Sequence, residues 1–148
     1  STVEAGAVLP VRVTLKRRYG GGSYTKVVPV TIPRHVPVGS LLRIAVSSGP
    51  YAKIDAAPPE TLADVRRLVA RMYHARQLVV QVMQPGEGTS IGGRIVSNLP
   101  GSVLDGLRSS TAVKTRIVHR TSVRKVLLLD DVLNGRKYFY VKVAAAKP

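Results

Sequence analysis

The run "VLPVRVTLKRRYGGGSYTKVVPVTI", Val8 to Ile32, sets the fold class. Each half alternates apolar and polar residues. Val11, Val13 and Leu15 stand opposite Arg12, Thr14 and Lys16, and Val28, Val30 and Ile32 stand opposite Val27, Pro29 and Thr31. Successive side chains leave a strand on opposite faces, so this period of two marks a pair of half-buried strands. Gly20, Gly21 and Gly22 lie between them, and the stretch predicts a hairpin with a flexible tip. Pro29 cannot donate to a ladder, so its strand is expected to have an open side there, free to pair with another subunit.

The same glycines raise the question of a phosphate cradle. "YGGGSYTK" matches neither G-x-x-x-x-G-K-[ST] nor G-x-G-x-x-G. It also leads into a strand, whereas both phosphate motifs lead into a helix whose N-terminus holds the anion. "GEGTSIGG", residues 86–93, fails for the same reason. Both read as turns.

Outward from the hairpin the pattern stays mostly β. "SLLRIAVSSG" reads as a third strand and "PYAKIDAAPP" as a loop. "ETLADVRRLVARMYHARQ" changes the period: Leu62, Val65, Leu68, Val69 and Met72 form an apolar stripe, and Thr61 with Asp64 resembles a capping box. An amphipathic helix is expected over about 60–75, packed on the sheet. "LVVQVMQ" reads as a buried strand, "TSIGGRIVSNLP" as a short strand pair or a strand with a glycine bulge, and "GSVLDGLRSS" as one or two helical turns. Asn134-Gly135 lies between apolar runs and predicts a type I′ hairpin joining the last two strands, with Phe139, Val141 and Val143 facing inward. The expected fold is mainly β, a β-sandwich or open barrel of immunoglobulin-like kind with one helix on it, α+β overall. Residues 1–148 read as a single domain. A repeating βαβ pattern is absent, which argues against a doubly wound nucleotide-binding fold.

Charge is the compositional outlier. The 148 residues carry 23 Lys+Arg against 8 Asp+Glu, a formal charge of +15. Such a surplus points to an anionic partner: acidic protein, nucleic acid or the surface of an anionic membrane. There is no cysteine, which removes disulfides and thiolate metal sites. No apolar run approaches the ~20 residues needed to span a bilayer. The chain opens on Ser1 without a signal-like segment, which suggests a processed product or an excised piece.

Catalytic constellations are weak. His35, His74 and His119 fall in different elements, and Asp130-Asp131 would point to opposite faces of a strand and suits a turn. A triad can be drawn from Ser102, His119 and Asp105, but without a G-x-S-x-G elbow it has the standing of a chance match. No metal-ligand spacing appears, and neither an enzyme nor a cofactor is expected.

The basic residues form three groups. Lys16, Arg17, Arg18 and Lys26 frame the glycine loop beside Tyr19 and Tyr24. Arg67 and Arg71, with His74, share one face of the helix. Lys114, Arg116, Arg120 and Arg124 are separated by even numbers of residues and would align on one face of a late strand. These ten cations are the candidate anionic-partner site.

Several segments carry a family resemblance: the "V-x-x-G" opening at Val3–Gly6, a strand ending in basic residues and Tyr-Gly, "IPRHVPVG", "TLADVRRLV", "LPGSVLDGL" and the closing "NGRKYFYVKV". Together they resemble the C-terminal β-rich region of bacterial exported proteins that carry a SpoIVB-type peptidase domain, and that resemblance covers nearly the whole chain. It implies an accessory domain and not the peptidase, and a location outside the cytoplasm or in the cell envelope. The favoured reading is a non-catalytic basic module that docks on an acidic protein or builds a larger envelope or extracellular assembly by self-association. The alternative is nonspecific nucleic-acid binding through basic strand and helix faces. Aromatic residues make up only 5% of the chain, which counts against base stacking.

Overall fold

The computed structural model describes residues 1–56, 58–84, 88–91, 94–97, 115–116 and 120–145. The strands are β1 (Thr2–Glu4), β2 (Val8–Lys16), β3 (Ser23–Thr31), β4 (Leu41–Ser48), β5 (Gln77–Gln84), β6 (Gly88–Ile91), β7 (Arg94–Ser97), β8 (Thr115–Arg116), β9 (Arg120–Leu128) and β10 (Arg136–Ala144). A 3₁₀ turn spans Gly49–Tyr51 and the helix α1 spans Leu62–Ala70. The chain is therefore mainly β with one helix.

A five-stranded sheet runs in the order β1-β10-β4-β5-β9. It is mixed, because β1 pairs with β10 in parallel while the other neighbours are antiparallel. The hairpin β2–β3 lies over one face and curls the assembly into an open half-barrel. Val11, Val28 and Val30 of the hairpin meet Leu42, Ile44, Val80 and Val141 of the sheet in one buried cluster. Burial of each such side chain contributes about 1.5–3 kcal/mol. β5 is buried on both faces, which explains why "LVVQVM" runs nearly unbroken where an exposed strand would alternate. Of the two readings of "TSIGGRIVSNLP", the strand pair is the one formed: β6 and β7 pair antiparallel and join β8 in a separate three-stranded sheet. The helical turns expected over "GSVLDGLRSS" lie outside the described residues.

The hairpin register places Pro10 directly opposite Pro29. The Arg17 amide donates to the Gly22 carbonyl and the Ile32 amide to the Ala7 carbonyl. Bonded pairs alternate with non-bonded pairs along an antiparallel ladder, so Pro10 and Pro29 occupy a non-bonded pair. Their missing donors therefore lie on the two outer edges of the hairpin.

Three expectations are corrected. Asn134-Gly135 does not join adjacent strands, because β4 and β5 lie between β9 and β10. Three inter-strand spacings of about 4.8 Å must be crossed, roughly 14 Å, and the connection from Leu129 to Gly135 is long enough to do so. That connection bonds along the sheet end: Leu129 and Leu133 donate to the carbonyls of Arg76 and Ala75, and Ser48 donates to that of Gly135. The helix begins at a true capping box, with the Thr61 hydroxyl and the Asp64 carboxylate each accepting the other's main-chain N–H. It ends at Ala70, however, and none of its residues is buried. Leu62 is 79% and Val69 59% exposed. One sheet face is taken by the hairpin, and over β5 the other is taken by the segment around Lys53. On β10, Val141 and Val143 are buried as expected, whereas Phe139 stays partly exposed.

Candidate anionic-partner surface

Lys16, Arg17 and Arg18 cluster at the hairpin tip. Gly20, Gly21 and Gly22 all have positive φ, at 81°, 90° and 75°, a run that side-chain-bearing residues resist. Arg18 lies 5.6 Å from the ring centre of Tyr19, which is 91% exposed. Lys26 sits on the inward side of β3 and, with Arg17, lines a cleft of about 390 Å³ at the seam between the hairpin and the end of β9. Asp130 and Asp131 line it as well. The Tyr24 hydroxyl donates to Asp131 at 3.0 Å across this seam. Lost solvation, then the hydrogen bond and negative charge of Asp131, hold the Tyr24 phenol above its ordinary pKa. The cleft thus has balanced charge, and the hairpin tip projects the surplus.

Arg67 and Arg71 contribute less than their spacing suggested. Arg67 is paired with Asp64 at 3.3 Å. Arg71 is the C-cap, and His74 lies past the helix end, so the three-residue basic face is not formed.

The late basic row is not formed either. Lys114 lies outside the described residues, and Arg116 belongs to β8 in the small sheet. Arg120 and Arg124 share β9, but a bulge intervenes: Val82 pairs with Val123 while Met83 pairs with Thr121. The extra residue shifts the alternation, so positions 120 and 124 fall on opposite sheet faces, in register with Gln84 and Gln81. Arg124 is turned to structural work, 3.9 Å from Asp55 and 5.5 Å from the ring centre of Tyr73.

That region is organised by two polar residues. Gln81 is wholly buried, and its amide exchanges hydrogen bonds of 2.9 and 2.7 Å with the main chain of Lys53. Asp55, two residues on, accepts from the Thr121 amide and hydroxyl at 3.1 and 3.3 Å. The segment is thereby tied over the β5–β9 half of the face opposite the hairpin.

On β10 that face stays exposed, whereas Ala45 and Ser47 of β4 beside it are buried. Arg136, Tyr138, Tyr140 and Lys142 alternate along β10 and share that face with Leu41 and Arg43. Tyr138 and Tyr140 are 54% and 50% exposed and meet edge to face, 6.3 Å between centres. The Arg43 guanidinium lies 4.6 Å from the centre of Tyr138. This cation-aromatic row was missed in the sequence, although the period of two in "RKYFYVK" displays it: the inward Val141 and Val143 fix where Tyr138 and Tyr140 must point.

Four of the six described carboxylates have partners within the chain. Asp55 serves Thr121, Asp64 serves the helix cap and Arg67, Asp130 lies 3.5 Å from Arg76, and Asp131 accepts from Tyr24. Among the described residues, Lys16, Arg18, Arg136, Lys137 and Lys142 have no carboxylate within ion-pair distance. Ser102, Asp105 and His119 lie outside the described residues. No described helix is long and apolar enough to cross a membrane. No family model, curated protein or solved structure matches the chain.

Proposed function

We propose that this chain is a non-catalytic, basic, β-rich docking module whose partner is an acidic protein, acting as an accessory or structural unit of an exported or envelope assembly. The observation that carries this reading is the division of charge. Four of the six described carboxylates have partners within the chain, one of them at a fully exposed surface pair, while cations at the hairpin tip and on β10 face outward without one. A partner supplying carboxylates would complete what the fold leaves uncompensated. The resemblance to the β-rich region beside SpoIVB-type peptidase domains supports an accessory role. A second reading rests on Tyr138 and Tyr140: exposed rings between cations on a sheet face suit stacking by single-stranded nucleic acid.

The test is purification of the native protein with identification of what accompanies it. A stoichiometric acidic protein, free of nucleic acid, is expected. Recovery bound to nucleic acid overturns the first reading in favour of the second. Substrate turnover abolished by Ser102→Ala or His119→Ala overturns both.

A further inference from the structure

The acidic partner assigned above leaves open how it is held, and the backbone of β10 suggests a means. β10 pairs with β4 from Arg136 to Lys142, but with β1 only from Lys142 to Ala144. Ser48 donates to the Gly135 carbonyl and Val143 to that of Ser40, so odd-numbered residues of β10 bond toward β4. Even-numbered ones point outward, as Lys142 does in donating to the Ser1 carbonyl. Arg136, Tyr138 and Tyr140 therefore turn three N–H and three C=O groups to a stretch of edge that no described strand pairs with. The row is roughly 14 Å long at about 3.4 Å per residue.

We propose that the outward edge of β10, from Arg136 to Tyr140, receives an extended acidic segment of the partner protein as an added strand. Proline blunts both outer edges of the hairpin, at Pro10 and Pro29, whereas Arg136–Tyr140 contains none. β1 already shows this edge accepting a parallel strand. On one face the guest meets Arg136, Tyr138, Tyr140 and Lys142, and on the other Lys137 and the partly exposed Phe139. Alternating acidic and apolar residues complement that surface. A second copy of this chain is a poor guest, since β10 carries Arg136, Lys137 and Lys142 and no carboxylate, so edge-to-edge pairing brings two basic strands together. Nucleic acid has no peptide groups to complete the ladder and would engage the tyrosine rings instead.

The proposal rests on the acidic-partner reading but fails separately from it. The probe is a capped octapeptide of alternating valine and glutamate, titrated into the isotopically labelled chain. Expected results are saturable binding, slowed amide exchange at Arg136, Tyr138 and Tyr140, and at least tenfold weaker binding when alternate peptide nitrogens are methylated. Tyr138→Pro removes an outward N–H without touching the bonds to β4, and is expected to weaken binding at least tenfold. Arg136→Pro, at the first residue of the strand, is the second variant should Tyr138→Pro fail to fold. Binding indifferent to N-methylation and proline yet weakened by Arg136→Glu overturns the edge while sparing acidic-partner docking. No saturable peptide binding, with an oligothymidylate shifting the Tyr138 and Tyr140 ring signals, overturns both.

Discussion

The side-chain amide of Gln81 is hydrogen-bonded at both ends to the main chain of Lys53. A glutamine amide has the donor and acceptor of a peptide group, so Gln81 acts as a one-residue strand partner for a segment outside the sheet. Gln81→Leu keeps the volume and removes both hydrogen bonds to the Lys53 main chain. A loss of about 1–3 kcal/mol is expected in denaturant unfolding. Gln81→Glu sets a buried carboxylate against the Lys53 carbonyl. Its loss should be larger at pH 7 and shrink as the carboxyl protonates in acid. Equal stability of Gln81→Leu and the parent would mean that the segment is held by other contacts.

Gly49 is fixed by proximity. A Cβ there would fall 2.0 Å from the His74 carbonyl oxygen and 2.8 Å from the Tyr73 Cβ. The first obstacle is backbone and cannot rotate away. Gly49→Ala should cost about 1–3 kcal/mol and lower the melting temperature. Gly20→Ala, with open space around it, should cost only what its positive φ demands. Comparing the two by calorimetry separates crowding from backbone strain.

The exposed helix should melt on its own terms. Thr61→Ala removes the cap and should cost about 1 kcal/mol of local helix stability, read from amide exchange over residues 62–70. Leu62→Gln and Val69→Gln should leave global unfolding within about 0.5 kcal/mol, because neither side chain is buried. The hydrogen bond from the Thr61 hydroxyl holds the Asp64 carboxyl below its ordinary range, despite partial desolvation. A depressed folded pKa stabilises above the unfolded value, near ~3.9, and that contribution is lost as pH falls through the folded one. Helix signals should fade in acid before the sheet unfolds, and Asp64→Asn should remove that early phase.

Tyr24 offers a titration at the opposite end of the scale. Its raised pKa favours the neutral phenol in the folded chain. The stabilisation is fully present below the unfolded value, near ~10, and disappears as pH rises through the folded one. Ultraviolet titration should show one tyrosine ionising late. Tyr24→Phe should abolish that late step and speed amide exchange in Ser23–Lys26, where the hairpin meets the seam. Retention of the late step in Tyr24→Phe would assign it to another ring.

Much of the architecture was legible because burial writes itself into alternation. The strands at Val8–Lys16, Ser23–Thr31 and Leu41–Ser48, and the Thr61–Asp64 cap, follow directly from residue types and spacing. What escaped depends on contacts distant in sequence. Asn134-Gly135 has the chemistry of a tight turn, but the pairing of β4 with β5 places two strands between those it was expected to join. The basic row through Arg120 and Arg124 is broken by a bulge that the partner strand, not the local sequence, reveals. The helix stripe has the right period, yet the face awaiting it over β5 is covered by the segment that Gln81 holds. The Tyr138–Tyr140 face was readable in principle, since inward Val141 and Val143 imply it.

The opposed pair Pro10 and Pro29 has a consequence for solubility. A long two-stranded ribbon rich in valine and threonine is ordinarily a seed for fibres, because each bare edge templates another strand. Here one proline plugs each side at the same level of the ladder. Growth by lateral addition meets a missing donor in either direction, and the basic finger can stand clear of the body without recruiting its own kind. Restoring both donors, as in a Pro10→Thr, Pro29→Thr double variant, would convert a contact surface into an aggregation nucleus.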